Sequence, residues 1–143
     1  MKRDLKSITI LFRAQNHLQE IIKENIASFH LTPTEFGVLE ALYHKQALTV
    51  QEVRSKVLIA PSSLSYVVEQ LLKKGRIKKA QCETDKRVFY LSLSEEGVAF
   101  MEQVYPQHEK QLRKLLDVLS PEEETILQNL LKKIGKADSF ISK

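Results

Sequence analysis

With 143 residues and a formal net charge of +4, the chain is long enough to bury the core of one domain and carries a moderate bias towards acidic partners such as nucleic acid. A single cysteine, Cys82, excludes an intrachain disulfide framework and fits a reducing, cytoplasmic location. No apolar run reaches the roughly 20 residues of a membrane span, and Met1-Lys2-Arg3-Asp4 does not open a signal peptide, so no membrane partner is expected. The glycines Gly37, Gly75, Gly97 and Gly135 form no phosphate loop, and there is no Gly-x-Ser-x-Gly and no paired-cysteine motif, so no enzyme is expected.

Residues from about Leu5 to Ser28 read as one long helix, because Leu5, Ile8, Leu11, Phe12, Leu18, Ile21, Ile22 and Ile26 recur at three- and four-residue steps. The apolar set is wider than one stripe. Two buried faces are therefore expected, one on the helix's own domain and one on a second chain; the alternative is a helix lying wholly across its own core. After a loop at His30-Leu31, Thr32-Pro33-Thr34-Glu35 is a capping box with proline at the first helical position, stapled by Leu31 and Phe36. The helix that follows, through Phe36, Val38, Leu39, Ala41, Leu42 and Tyr43 to His44-Lys45, is nearly all apolar and is expected at the centre of the core.

A second box, Thr49 with Glu52, starts a short helix that runs to about Val57, with Leu48 and Val53 in the staple positions. A further helix starts near Pro61. Leu64, Val67, Val68, Leu71 and Leu72 make its apolar stripe, and Gly75 ends it as a left-handed cap. Its other face carries Ser62, Ser63, Ser65, Tyr66, Glu69 and Gln70. A two-stranded hairpin follows, from Arg76, Ile77, Lys78 and Lys79 to Val88, Phe89, Tyr90, Leu91 and Leu93, with Glu83 to Arg87 in its turn. Ser94 then caps a helix with Glu95 and Glu96 in its first turn, where the helix dipole favours them. Pro106 lies inside that helix and is expected to kink or interrupt it. Ser120-Pro121-Glu122-Glu123 opens a last helix bearing Ile126, Leu127, Leu130, Leu131 and Ile134, with Phe140 and Ile141 beyond Gly135.

The stretch from Leu48 to Leu93 reads as a winged helix-turn-helix. Lys73, Lys74, Arg76, Lys78, Lys79, Lys86 and Arg87 face only Glu83 and Asp85 in sequence, an excess that neutralises phosphates and releases counterions. In this reading Ser62, Ser63, Ser65, Tyr66 and Gln70 meet base edges or phosphates in a major groove. Arg87 enters a minor groove, with Asp85 two residues earlier bracing its guanidinium by a bidentate pair. Lys78, Lys79 and Lys86 meet phosphates, and the helix start at Thr49 can donate backbone N–H groups to one. The bland counterparts are a solvated helix face, a weak surface ion pair and a threonine that only caps. His17, His30, His44 and His108 have no ligand spacing, so neither metal nor cofactor is expected.

The run from Thr49 to Gly97 resembles the MarR family of multiple antibiotic resistance regulators. The residues that carry the likeness are Val68, Leu71, Lys74-Gly75, Asp85-Lys86-Arg87 in the wing, and Leu93-Ser94-Glu95-Glu96-Gly97 after it. These match the family's Asp-x-Arg and Leu-Thr-x-x-Gly, with Ser94 in place of threonine, and Tyr66 stands where many members carry arginine. The resemblance implies a mainly α fold with a small β-wing in a single domain, residues 1–143. Residues 31–94 would form the DNA-binding lobe, and residues 5–30 and 95–143 the dimerisation helices. It also implies a homodimeric repressor on an inverted-repeat operator in double-stranded DNA. A small-molecule effector would bind in a cleft between the dimer helices and the winged lobe, for which Phe29, His30 and Tyr43 are the candidates. Symmetric DNA readers independently favour a dimer, since two recognition helices must sit about one duplex turn, roughly 34 Å, apart. Three alternatives stay open: activation instead of repression, a winged-helix module that binds protein, and a thiol-based sensor acting through Cys82, whose pKa Lys79 and Arg76 could lower.

Overall fold

The computed structural model describes residues 3–57 and 61–136. Among these lie six helices, α1 (Lys6–Ala27), α2 (Pro33–Lys45), α3 (Val50–Lys56), α4 (Pro61–Lys73), α5 (Glu95–Leu116) and α6 (Pro121–Gly135), and three short strands, β1 (Ala47–Thr49), β2 (Ile77–Gln81) and β3 (Phe89–Leu93). The fold is mainly helical with a small antiparallel wing. The chain divides into two compact units, one up to His108 and one from Glu109 onwards.

Three helices start on the boxes read from the sequence. In Thr32/Glu35, Thr49/Glu52 and Ser120/Glu123 the hydroxyl accepts the glutamate N–H and the carboxylate accepts the cap N–H, all at 2.9–3.1 Å. Each box satisfies two of the N–H groups that a helix start leaves free. The staple residues Leu31 with Phe36 and Leu48 with Val53 are buried in the core. As expected, α2 is central: Phe36, Val38, Leu39 and Leu42 meet Val53 of α3, Leu64 and Leu71 of α4, Leu91 of β3 and Met101 of α5 in one cluster.

The expected two-stranded hairpin is a three-stranded sheet in the order β1-β3-β2. β1 pairs antiparallel with β3, Ala47 opposite Ser92 and Thr49 opposite Tyr90. Three residues are too few for period-two alternation to register, and their partners lie far along the chain.

The end of α4 is clasped from two sides. Gly75 takes a left-handed φ of 74°; its N–H bonds Leu72 O, and the Arg76 N–H bonds Leu71 O, both at 3.1 Å. These are the paired bonds of a left-handed helix terminus. The Ser94 hydroxyl donates to Gly75 O at 2.5 Å and accepts the Gly97 N–H at 3.0 Å. The Ser94 N–H bonds Arg76 O at 3.0 Å. A Cβ on Gly97 would stand 2.0 Å from Arg76 O, so only glycine admits this approach. On the other side the Lys74 ammonium meets Glu35 Oε2 at 2.7 Å. Burial pushes the Glu35 carboxyl up, but the Lys74 ammonium and the bonds from Thr32 outweigh it and hold it below the usual carboxylate value.

α1 departs from one expectation. Only Ile26 is buried, while Leu5, Ile8, Ile10, Leu11, Phe12 and Leu18 are exposed, Leu5 to 72%. The helix therefore does not lie across its own core. It meets its own unit through its last turns, where Ile22 and Ile26 pack on the cluster and Asn25 Oδ1 lies 2.7 Å from His108 Nδ1. Pro106 does not interrupt α5, which continues to Leu116 around it. In the second unit Arg113 pairs with Asp117 and Glu124, and Ile126, Leu130, Leu131 and Ile134 of α6 are exposed. Phe140 and Ile141 lie outside the described residues.

Two outcomes follow. Gly97→Ala should lower stability by about 3 kcal/mol, the upper range for forced overpacking, because backbone rather than a flexible side chain must yield; an unchanged denaturant midpoint would contradict the clasp. Glu35→Gln keeps the capping box and removes the charge. Since the folded carboxyl is depressed, the stability it adds is complete above the unfolded pKa of about 4.3 and is lost as pH falls through the folded value. The melting-temperature gap between wild type and variant should be present near neutral pH and close in acid; a gap independent of pH would remove the assigned charge effect.

Candidate nucleic-acid interface

The buried residues of α4, Leu64, Val67, Val68 and Leu71, fix its rotation. The opposite face is thereby presented outwards: Ser63, Ser65 and Glu69 are exposed, Tyr66 is 67% exposed, and Gln70 is half-buried. The side chain of Ser62 lies outside the described residues.

The wing tip is built around Asp85. Its Oδ1 accepts the Arg87 backbone N–H at 3.0 Å and the Arg87 Nε at 3.1 Å, and its Oδ2 accepts Nη2 at 3.2 Å. The expected bidentate brace is thus present. It holds the Asp85 carboxyl below its ordinary value, first through the Arg87 side chain and then through its N–H. The Arg87 side chain is nonetheless 90% exposed, a cation fixed in direction but still in water. Cys82 N–H to Val88 O at 2.8 Å, Val88 N–H to Asp85 O at 3.0 Å and Gln81 Nε2 to Lys86 O at 2.8 Å close the tip.

Thr49 and Arg87 come together. With Val50, Gln51, Val88 and Phe89 they line a cleft of about 300 Å³ between the start of α3 and the wing. The Thr49 hydroxyl is already engaged by Glu52. Lys78 and Lys79 are separated instead: Lys78 pairs across the sheet with Ser92 and Lys79 with Leu91, so the two point to opposite faces. Lys79 Nζ sits 4.5 Å from the Phe89 ring, on the Arg87 side, whereas Lys78 lines a different cleft with Tyr43, Gln46 and Ala47. Lys86 is exposed at the tip.

The basic run is less free than its count suggests. Lys74 is paired with Glu35, and the Arg76 guanidinium stacks 3.4 Å from the centre of the Phe100 ring. Neither partner is near in sequence, and only the tertiary packing reveals them. Cys82 is half-buried, with Sγ 3.3 Å from Thr84 Oγ1. Its thiol pKa is lowered by that hydroxyl and by the backbone of Asp85 and Thr84, not by Lys79 or Arg76, which are engaged elsewhere.

The three effector candidates are not gathered. Phe29 packs against the core, His30 is exposed with a φ of 63°, and Tyr43 stacks near His44 and Tyr105. A larger cleft, about 630 Å³, lies between α1, α2 and α3 and contains none of them; Ile22, Gly37, Glu40, His44, Lys56 and Val57 are among its walls. Burial pushes the Glu40 carboxyl up there, partly offset by His44. Among the described residues no three His, Cys, Asp or Glu side chains are placed to hold a metal ion, and no helix is long and apolar enough to cross a membrane.

A helix-turn-helix whose second helix turns a hydroxyl-rich face outwards, followed by a hairpin tipped by a braced arginine, defines a winged-helix DNA-binding regulator. Residues 31–89 match the MarR family. Over 134 residues the chain is 33% identical to the HTH-type transcriptional regulator MhqR of Bacillus subtilis (strain 168), spanning 94% of this chain and 92% of that protein. The fold superposes on Sco3205, a MarR family transcriptional regulator from Streptomyces coelicolor solved in complex with DNA, with a TM-score of 0.78 at 20% identity, covering 96% of this chain and 91% of that one. It also superposes on NadR in complex with 4-hydroxyphenylacetate, with a TM-score of 0.76 at 21% identity and coverage of 95% and 96%. The chain belongs to the MarR family, DNA-binding transcription regulators and not enzymes.

Arg87→Ala should weaken duplex binding at fixed salt by about tenfold or more, the scale of one good groove contact. Asp85→Ala should produce a smaller loss by releasing the brace. Fluorescence anisotropy on labelled duplex measures both, and an unaltered affinity for Arg87→Ala would take the wing tip out of DNA binding.

Proposed function

We propose that this protein is a homodimeric transcriptional repressor that binds an inverted-repeat operator in the cytoplasm and is released by a small ligand. The observation that carries the reading is Arg87, braced by Asp85 yet 90% exposed, at the tip of the wing that follows α4 in the chain. Ser62, Ser63, Ser65, Tyr66 and Gln70 read base edges in the major groove, and Arg87 enters the adjoining minor groove. Lys79, Lys86 and the helix start at Thr49 hold phosphates on the same side. Lys78, on the other face of the hairpin, acts on the duplex only through its longer-range field.

Residues 31–94 serve as the reading lobe in this proposal, and residues 5–30 and 95–143 supply the dimer helices. The support is the apolar surface left in water: Leu5 at the cap of α1, Ile8, Ile10 and Phe12 on α1, and Ile126 and Ile134 on α6. Exposed apolar residues this concentrated mark an interaction surface. The effector site is the 630 Å³ cleft between α1, α2 and α3, of a size for a small organic molecule. NadR, solved with 4-hydroxyphenylacetate, is a precedent for the kind of ligand. To release DNA the ligand must bind one arrangement of the reading lobes more tightly than another.

Sedimentation tests the dimer. The wild type should run as a dimer at micromolar concentration, and Phe12→Glu should shift it to monomer without loss of helical circular dichroism; a wild-type monomer overturns the proposal. A steep fall of duplex affinity with salt is expected from phosphate neutralisation. A flat dependence would favour the alternative of a protein-binding module.

A further inference from the structure

Lys74 belongs to the basic run next to the wing, where a lysine is expected to meet phosphate. We propose that it does not, and that it is instead a positioning residue which, held by Glu35, sets how the outer face of α4 is presented to DNA. The inference rests on the reading of α4 as the DNA-contacting helix.

Glu35 is fixed before Lys74 reaches it. Its Oε1 accepts the Thr32 N–H at 3.0 Å, its own N–H bonds Thr32 Oγ1 at 3.1 Å, and only its Oε2 turns to Lys74, at 2.7 Å. The Glu35 side chain is 9% exposed and that of Lys74 45%. A phosphate would therefore have to draw the ammonium away from a nearly buried carboxylate and leave that carboxylate unpaired, which is unfavourable. The carboxylate is also anchored to α2, the central helix of the core.

The position of Lys74 gives the pair leverage. Tyr66, Gln70 and Lys74 follow one another at four-residue steps, one above the next along a single side of α4. Together with Thr32, Glu35 and Val67 they line a cleft of about 230 Å³ between the start of α2 and α4. Glu35 thus pins the end of the stripe that carries two of the proposed base readers. Gly75 next to it is held by Ser94, just before α5, so the last turn of α4 is tied on both sides. Losing one tie loosens the end of α4 about its buried stripe, and the side that carries Tyr66 and Gln70 shifts with it.

The test compares wild type, Lys74→Gln, Glu35→Gln, the double variant and Lys74→Arg. Each is titrated at several salt concentrations on a duplex selected from a random pool and on an unrelated duplex, with thermal unfolding as a control for folding. Expected are losses of about tenfold on the selected duplex for both single variants, with no further loss in the double variant, as one shared interaction requires. Affinity for the unrelated duplex and the salt slope should stay unchanged, and Lys74→Arg should restore most of the selectivity. A phosphate-binding lysine gives the opposite pattern. Lys74→Gln would lower the slope by about 0.9 on both duplexes, and Glu35→Gln, freeing the ammonium, would strengthen binding; either result overturns the proposal. If even wild type selects no duplex, the reading of α4 itself fails, and this inference with it.

Discussion

The backbone junction at Gly75 is the constraint on which the reading surface depends. α4 ends there in a left-handed turn, β2 leaves two residues later, and β3 returns to it through Ser94. One hydroxyl closes the loop by donating to Gly75 O and accepting the Gly97 N–H. Because the first turn of α5 must pass against Arg76 O with no room for a Cβ, the helix and the wing share one mount. α4 and the wing are thereby held in a fixed relation, which a groove reader needs if two contacts are to form together.

Charge is distributed in the same economical way. Of the basic residues around the wing, Lys74 and Arg76 serve the fold, one tying α4 to α2 and the other stacking on Phe100. Arg87 is the reverse case. Asp85 fixes its direction and leaves its surface wet, so the guanidinium can exchange water for a groove without first losing rotamer freedom.

What could be read from the sequence is what is local. The three capping boxes, the glycine terminus of α4 and the Asp85–Arg87 brace all join residues within five positions, and all are present as expected. β1 was not legible, since Ala47, Leu48 and Thr49 become a strand only by pairing with Ser92, Leu91 and Tyr90. The Glu35–Lys74 pair, the Arg76–Phe100 stack and the opposed faces of Lys78 and Lys79 were hidden for the same reason, as each is created by tertiary packing. The effector candidates have a different origin: Phe29, His30 and Tyr43 came from resemblance, and a cleft of about 630 Å³ lies along Ile22, Gly37 and Val57 instead. For α1 the apolar periodicity was right and its partner ambiguous, because a stripe of Leu, Ile and Phe looks alike whether its own core or a second chain covers it.

In the proposed complex α4 and the wing of each protomer engage adjacent grooves of one duplex as a single mounted unit, twice over. Chemical footprinting of the wild-type protein on a duplex selected from a random pool tests this directly. The expected footprint is two major-groove contacts centred about one helical turn, roughly 34 Å, apart, each flanked on its outer side by minor-groove protection. A single protected half-site, or major-groove contact without the flanking minor-groove protection, would contradict it.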